Sequence, residues 1–265
     1  MYSRFQLGLK YFQYYLTASS GRGHGIHSPF VFDFITKILN DKNDHDDYEK
    51  VESLRKRLLH DKSVLDIEDF GAGSSSAGPG KREVASVARH AVKSKKFGQL
   101  LYRIVKNYQP KTIIELGTSL GVTTSYLALA NSASNLFTLE GAPELANVAR
   151  QNFKDLQLEN VKLVEGNFDH TLPAILYHLS TVGFAFIHGN HRREPTDNYF
   201  HWLFAKSNSN SIFIFDDIHW SSEMEQAWNH IKDHIAVRCS IDLFFMGIIF
   251  FRHEFKEKQH FKIRW

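Results

Sequence analysis

Apolar positions recur at helical spacing through the first hundred residues. Phe5, Leu9, Phe12 and Leu16 form one such series. Phe30, Val31, Phe34, Ile35, Ile38 and Leu39 form a second, behind Ser28 and Pro29, a capping hydroxyl followed by proline in the first turn. Tyr48, Val51, Leu54 and Leu58 mark a third. Phe97, Leu100, Leu101, Ile104 and Val105 mark a fourth, which ends before Pro110. Residues three and four apart share one face of a helix, so residues 1–107 read as helical. The stretch GAGSSSAGPG, residues 71–80, interrupts them and reads as a flexible loop.

From Lys111 the period changes. Short apolar runs, TIIEL (112–116), LFTLE (136–140), VKLVE (161–165), VGFAFI (182–187) and IFIFD (212–216), alternate with helical patterns such as Leu145, Val148, Ala149 and Phe153 behind Pro143. Continuous apolar strands separated by helices predict a parallel sheet covered on both faces. AVRCSIDL (236–243) and GIIFFR (247–252) follow each other with no helix between them, which predicts a hairpin and an antiparallel last strand. The expected fold is α/β. It has a Rossmann-like, seven-stranded, mostly parallel sheet with an antiparallel C-terminal hairpin, preceded by an N-terminal helical region. Residues 1–94 are the expected helical cap, with the loop at 71–80, and residues 95–265 the expected sheet domain.

Composition narrows the class. With 265 residues, 43% apolar and 14% aromatic, the chain can bury a sizeable core and is not disordered in bulk. A formal net charge of +3 does not demand a nucleic-acid partner. The one cysteine, Cys239, excludes an internal disulfide and fits a reducing cytoplasm, the expected location. The longest apolar run, LFFMGIIFF (243–251), is too short to span a bilayer, and the first residues lack a signal-peptide core, so no membrane partner is expected.

Two stretches place an acid two positions before a glycine, DFGAGSSSAG (69–78) and ELGTSLGVTT (115–124). A phosphate- or cofactor-binding turn needs a buried strand before it and a helix directly after it. The first stretch has neither: Asp66, Glu68 and Asp69 precede it, and Gly78, Pro79 and Gly80 prolong it. As a P-loop it would have Ser75 in place of the first glycine and Arg82 in place of the hydroxyl residue. The second stretch meets both conditions. Gly117 and Gly121 permit a tight turn, VTTSYLALA continues as a helix, and the next strand ends at Glu140, an acid able to accept hydrogen bonds from both hydroxyls of a ribose. The dinucleotide pattern G-x-G-x-x-G does not fit, since Ser119 and Val122 occupy its later positions.

IIELGTSLGVTTSYLA, then FTLEG, then LVEGNF resembles a class I S-adenosylmethionine-dependent methyltransferase, over roughly residues 95–252. The resemblance implies that the glycine turn packs against the methionine part of the cofactor, that Glu140 holds its ribose, and that residues after the third strand frame its adenine. The implied cofactor residues are Glu115, Gly117, Thr118, Ser119, Gly121, Glu140, Gly141, Gly166, Asn167 and Phe168. Ser119 stands where many members have a glycine. The small-molecule O-methyltransferase branch often has a hydroxyl residue there, and FGQLL (97–101) is similar to its lead-in helix.

The remaining strands end in FIHGNHRR and FDDIHW. Metal-dependent members resembling the catechol and caffeoyl-CoA enzymes carry an acid after the fourth strand and an acidic pair after the fifth. Carried over, His188, Asp216 and Asp217 would hold a divalent metal, with His188 in place of the first acid, which favours a transition ion over magnesium. The expected catalytic residues are His188, His191, Asp216 and His219, a histidine near neutral pKa being suited to deprotonating a hydroxyl. His24 and His27 could serve as a lid, and Trp220 and Phe200 as pocket walls. The expected activity is methylation of a small-molecule oxygen, with a homodimer left open. The alternatives are RNA methylation through the basic clusters at 81–96 (Lys81, Arg82, Arg89, Lys93, Lys95, Lys96) and in the tail (Lys256, Lys258, Lys262, Arg264), and a non-catalytic cofactor-binding or dimerisation module.

Overall fold

The computed structural model describes residues 1–67 and 80–265, so the expected flexible loop lies, save for Gly80, outside the described residues. In chain order the elements begin with α1 (Arg4–Thr17), α2 (Pro29–Phe34) running into a π-turn at Ile35–Leu39, α3 (Asp46–His60), β1 (Val64–Ile67), β2 (Gly80–Glu83), α4 (Val84–His90) and α5 (Lys95–Tyr108). Then come β3 (Thr112–Leu116), α6 (Val122–Ala130), β4 (Asn135–Glu140), α7 (Pro143–Asp155), β5 (Val161–Glu165), α8 (Phe168–Tyr177), β6 (Phe184–Ile187) and α9 (Arg193–Phe204). The chain closes with β7 (Ile212–Asp216), α10 (Ser222–Asp233), β8 (Cys239–Asp242), β9 (Met246–Phe250) and β10 (Gln259–Lys262).

The elements form two compact units. One is discontinuous, Met1–Asp41 with Leu179–Trp265, and the other is Lys42–His178.

In the unit Lys42–His178, β3, β4 and β5 lie side by side and parallel, Ile114 opposite Phe137 and Thr138 opposite Leu163. Their carboxyl ends, where α6, α7 and α8 start, therefore share one edge. The helices before β3 are tied to it by buried hydroxyls: Tyr102 donates to Asp47 at 2.9 Å and Tyr126 to Glu52 at 2.7 Å, joining α5 and α6 to α3. Helices α5 and α6 approach so closely that a Cβ on Gly98 would lie 2.6 Å from the Tyr126 ring. The region before β3 is not wholly helical. β1 and β2 pair antiparallel, Val64 opposite Glu83, as a ribbon whose charged side chains suit a half-exposed position.

In the discontinuous unit the strand order is β10-β8-β9-β7-β6. β6 and β7 are parallel, while β9 runs antiparallel to both β7 and β8, so the expected hairpin is present. β10 adds an eighth strand to the seven expected, parallel to β8 with Gln259 opposite Cys239. Its alternating burial and polar residues, QHFK, carry no continuous apolar signal. Helix α2 starts at Pro29 as expected, but the Ser28 hydroxyl makes no capping bond.

Helix α1 forms where its period predicts, with Ser3 and Gln6 closing a capping box. Its regular apolar series nevertheless faces solvent. The buried residue is Tyr14, whose hydroxyl donates to the Asp242 carbonyl at 2.9 Å and to that of Ile263. Tyr14 and Ala18 pack on Phe244.

Candidate active site

The turn after β3 is built on buried polar bonds. Glu115 is fully buried and accepts hydrogen bonds from Thr124 Oγ1 at 2.5 Å and Thr138 Oγ1 at 2.7 Å. It thereby ties β3 to α6 and β4, with its carboxylate turned inward. The N–H groups of Gly117 and Thr118 donate to the Leu139 carbonyl at 2.9 and 3.1 Å, and Gly121 N–H donates to Thr118 O at 2.9 Å. Gly117, Ser119 and Gly121 all take positive φ, 105°, 49° and 78°. Gly121 is required twice over, because a Cβ there would also lie 2.5 Å from Phe153 Cε1.

Three loops meet at Glu140, which is 8% exposed. Its Oε2 accepts the Ser119 N–H at 2.7 Å, its Oε1 the Ala142 N–H at 3.0 Å, and its carbonyl the Gly166 N–H at 2.9 Å. Each carboxylate oxygen has a second lone pair, so Glu140 can hold the turn and still accept from a ligand hydroxyl. Ser119 Oγ is shielded from solvent and has no hydrogen-bond partner among the described residues, a polar atom suited to a ligand in this turn. Gly141 follows Glu140 directly, before α7. Gly166 has φ 126°, Asn167 Oδ1 caps α8 through the Asp169 N–H at 2.8 Å, and Phe168 is that helix's first residue.

In the other unit a cluster forms at the ends of the parallel neighbours β6 and β7. One ligand atom each from His191, Asp216 and Asp217 lies within 4.8 Å of the others. The histidine is not the one expected. His188 continues the strand and stacks on Phe186, two residues back on the same face, with ring centroids 4.6 Å apart. Beyond it Asn190 and His191 both adopt positive φ, 71° and 24°, and this re-aims the chain so that His191 joins the two acids. Asn190 Nδ2 donates to the buried Tyr199 hydroxyl at 2.9 Å, which holds the bend. Asp217, with φ 52°, donates its N–H to Phe245 O at 2.8 Å. Three non-glycine residues in the left-handed region within one cluster concentrate backbone strain there.

His219 does not offer a free base. Its Nε2 lies 2.9 Å from Asp242 Oδ2 and its Nδ1 3.1 Å from Glu225 Oε1. Burial alone would lower its pKa, but Asp242 and Glu225 outweigh burial and raise it above the ordinary histidine value. With a carboxylate oxygen facing each ring nitrogen, His219 bridges Asp242 and Glu225. Trp220 packs against His191 with centroids 5.6 Å apart, while Phe200 is core at 1% exposure. His24 and His27 are exposed in the segment before α2. Tyr199, Asp242 and Glu225 were not expected from the sequence; Asp242, an acid closing a strand, was the one with a readable signal.

Residues 114–218, from β3 to just past β7, match the family described as a methyltransferase domain. A methyltransferase from Podospora anserina, solved bound to SAH, superposes with a TM-score of 0.59 over 85% of this chain and 97% of its own, at 14% identity. The fold is that of a class I methyltransferase. Among curated relatives of this methyltransferase-like chain, catechol O-methyltransferase B of Danio rerio is 31% identical over 99 residues, 37% of this chain and 38% of that protein. A tRNA (guanine-N(7)-)-methyltransferase of Mycoplasma mobile is 35% identical over 75 residues, 28% of this chain and 37% of that protein. The chain thus spans under two-fifths of the length of either relative. Among the described residues no helix is long and apolar enough to cross a membrane.

Proposed function

We propose that the protein is an S-adenosylmethionine-dependent methyltransferase that transfers a methyl group to an oxygen of a small molecule in a reducing cytoplasm. The observation that carries the reading is the convergence of three loops on Glu140, with the Ser119 N–H at 2.7 Å, around a turn that holds an unsatisfied Ser119 hydroxyl. These features fit an adenosyl ligand: an acid for the ribose, glycines for close backbone approach, and Gly166, Asn167 and Phe168 for the base. The similarity to a catechol O-methyltransferase supports oxygen as the acceptor.

When bound, S-adenosylmethionine supplies an already activated methyl group, so the chain has to orient the acceptor and accept its proton. His191, Asp216 and Asp217 are the groups we assign to the acceptor oxygen. Two carboxylates and an imidazole are also a donor set for a divalent transition ion, which would lower the pKa of a bound hydroxyl. Asp216 is buried at the end of β7, and His191 is the group we assign as the cluster's proton acceptor.

Titration calorimetry with S-adenosylmethionine, followed by labelled methyl transfer to a panel of catechols and other vicinal diols with and without manganese, zinc and magnesium, tests the reading. Cofactor binding and labelled O-methyl products are expected. The similarity to a tRNA methyltransferase favours a second reading, and label in RNA rather than in the small acceptors would establish it. No cofactor binding at all would defeat both.

A further inference from the structure

The solvent side of α1 is more apolar than the side it docks with. Phe5 is 75% exposed, Leu9 50%, Phe12 60% and Leu16 66%, and Met1 and Tyr15 extend the patch at 59% and 48%. At roughly 200 Å² for a large side chain these six expose on the order of 700 Å². That exceeds the few hundred Å² usual for a monomer's largest patch and approaches the ~800 Å² each partner contributes to a stable interface.

The helix cannot roll to hide this face. Tyr14 is bonded to the Asp242 and Ile263 carbonyls, Tyr2 donates to Glu225 at 2.7 Å, and Lys10 reaches both Glu225 oxygens at 2.9 and 3.0 Å. The stripe is therefore presented outward by a fixed scaffold.

We infer that α1 is a homodimer interface, in which two copies of the chain pair their first helices antiparallel about a two-fold axis. The stripe has the spacing 4-3-4, which reads the same in both directions. Antiparallel pairing sets Phe5 opposite Leu16 and Leu9 opposite Phe12, so every ring meets an aliphatic side chain, and the interface is self-complementary as a two-fold contact requires. Charge agrees with this. Arg4 and Lys10 are the helix's only charged residues. Lys10 is held by Glu225, and Arg4 comes to lie beside the C-terminal turn of the opposite helix, the negative end of its dipole. The flank carries Gln6, Gln13 and Thr17, which do not repel their copies. Gly8, where an added Cβ would meet nothing within 4 Å, leaves room for the helices to approach. A lipid-binding helix would instead surround such a stripe with lysine and arginine.

Light scattering on the full chain at micromolar concentration reads the mass. Twice 30.6 kDa is expected, falling to 30.6 kDa when Leu9→Glu and Phe12→Glu are combined, with the circular dichroism of the chain unchanged. A cross-linking measurement covers the register. Phe5→Cys and Leu16→Cys chains, oxidised as a mixture, should form a disulfide dimer that neither forms alone, because residues 5 and 5 of an antiparallel pair lie about 16 Å apart along the axis. Native Cys239 is buried and does not compete. A monomer throughout the micromolar range, a dimer that survives the double substitution, or Phe5→Cys chains that cross-link with themselves would each overturn the inference. So would a monomer that sediments with phosphatidylserine vesicles through the same four positions, which would assign the face to lipid.

Discussion

Glu140 accepts the backbone N–H of Ser119 at 2.7 Å, so the acid that ends one strand organises the glycine turn that follows its neighbour. Replacing Glu140 with alanine removes both that organisation and the proposed ribose acceptor. S-adenosylmethionine binding should weaken by about 1.5–3 kcal/mol, the range for a hydrogen bond to a charged group. Glu140→Gln, which keeps one acceptor oxygen, should fall between. Titration calorimetry that finds the alanine variant binding as tightly as the parent would remove Glu140 from the site.

Gly121→Ala should destabilise the fold by roughly 1–3 kcal/mol from its backbone angle alone, and by more from the collision with Phe153. The two causes separate. Adding Phe153→Leu makes room for the new methyl and should recover part of the loss, while the left-handed backbone keeps the remainder. Urea unfolding of the single and double variants measures both shares.

The turn, the strands around it and the terminal hairpin were legible because their residues satisfy local and global demands together. TIIEL is apolar as a buried strand must be, and glycines stand where positive φ is needed. Other features depend on direction, which spacing does not encode. The series Phe5, Leu9, Phe12 and Leu16 announces a helix but not which side meets the core; the bonds of Tyr14 to residues more than two hundred positions away decide that. It is His191, not His188, that falls beside Asp216 and Asp217, because two consecutive left-handed residues turn the loop, and neither Asn190 nor His191 advertises that conformation as glycine would. The bridge between His219 and Asp242 joins the turn before α10 to the end of β8 and has no local signature.

The histidine assignment can be separated by substitution. His191→Ala should abolish any thermal shift produced by manganese or zinc, whereas His188→Ala should retain it with a lowered baseline melting temperature from the lost stacking on Phe186. Both should bind S-adenosylmethionine with nearly the affinity of the parent, since the cofactor loops belong to other strands. Differential scanning fluorimetry across the metals and a chelator decides between them. A shift lost in the His188 variant and kept in the His191 variant would reverse the assignment.

His219 confers a stability that depends on pH. Its folded pKa is raised, so its contribution is complete below the ordinary histidine value of 6.5 and is lost as pH rises through the folded value. Glu225 acts in the opposite sense: burial is outweighed by Lys10, Tyr2 and His219, its pKa is lowered, and its share is lost only as pH falls through the acid range. Between these limits the melting temperature should drop as the solution is made alkaline. In His219→Gln it should start lower at pH 6 and change less. An identical pH slope in the two proteins would contradict the bridge.

The discontinuous unit sets a timetable for biosynthesis. Tyr14 and Ser19 find their partners at Asp242 and Ile263, near the far end of the chain. At 5–20 residues per second a ribosome needs roughly 10–45 s to travel that distance. Lys42–His178 can complete its contacts during this interval, while the aromatic first helix stays tethered outside the exit tunnel with nothing of its own to rest on. For that time both of its faces are open to whatever else binds apolar surface, which makes the nascent protein a more demanding client for chaperones than the finished one.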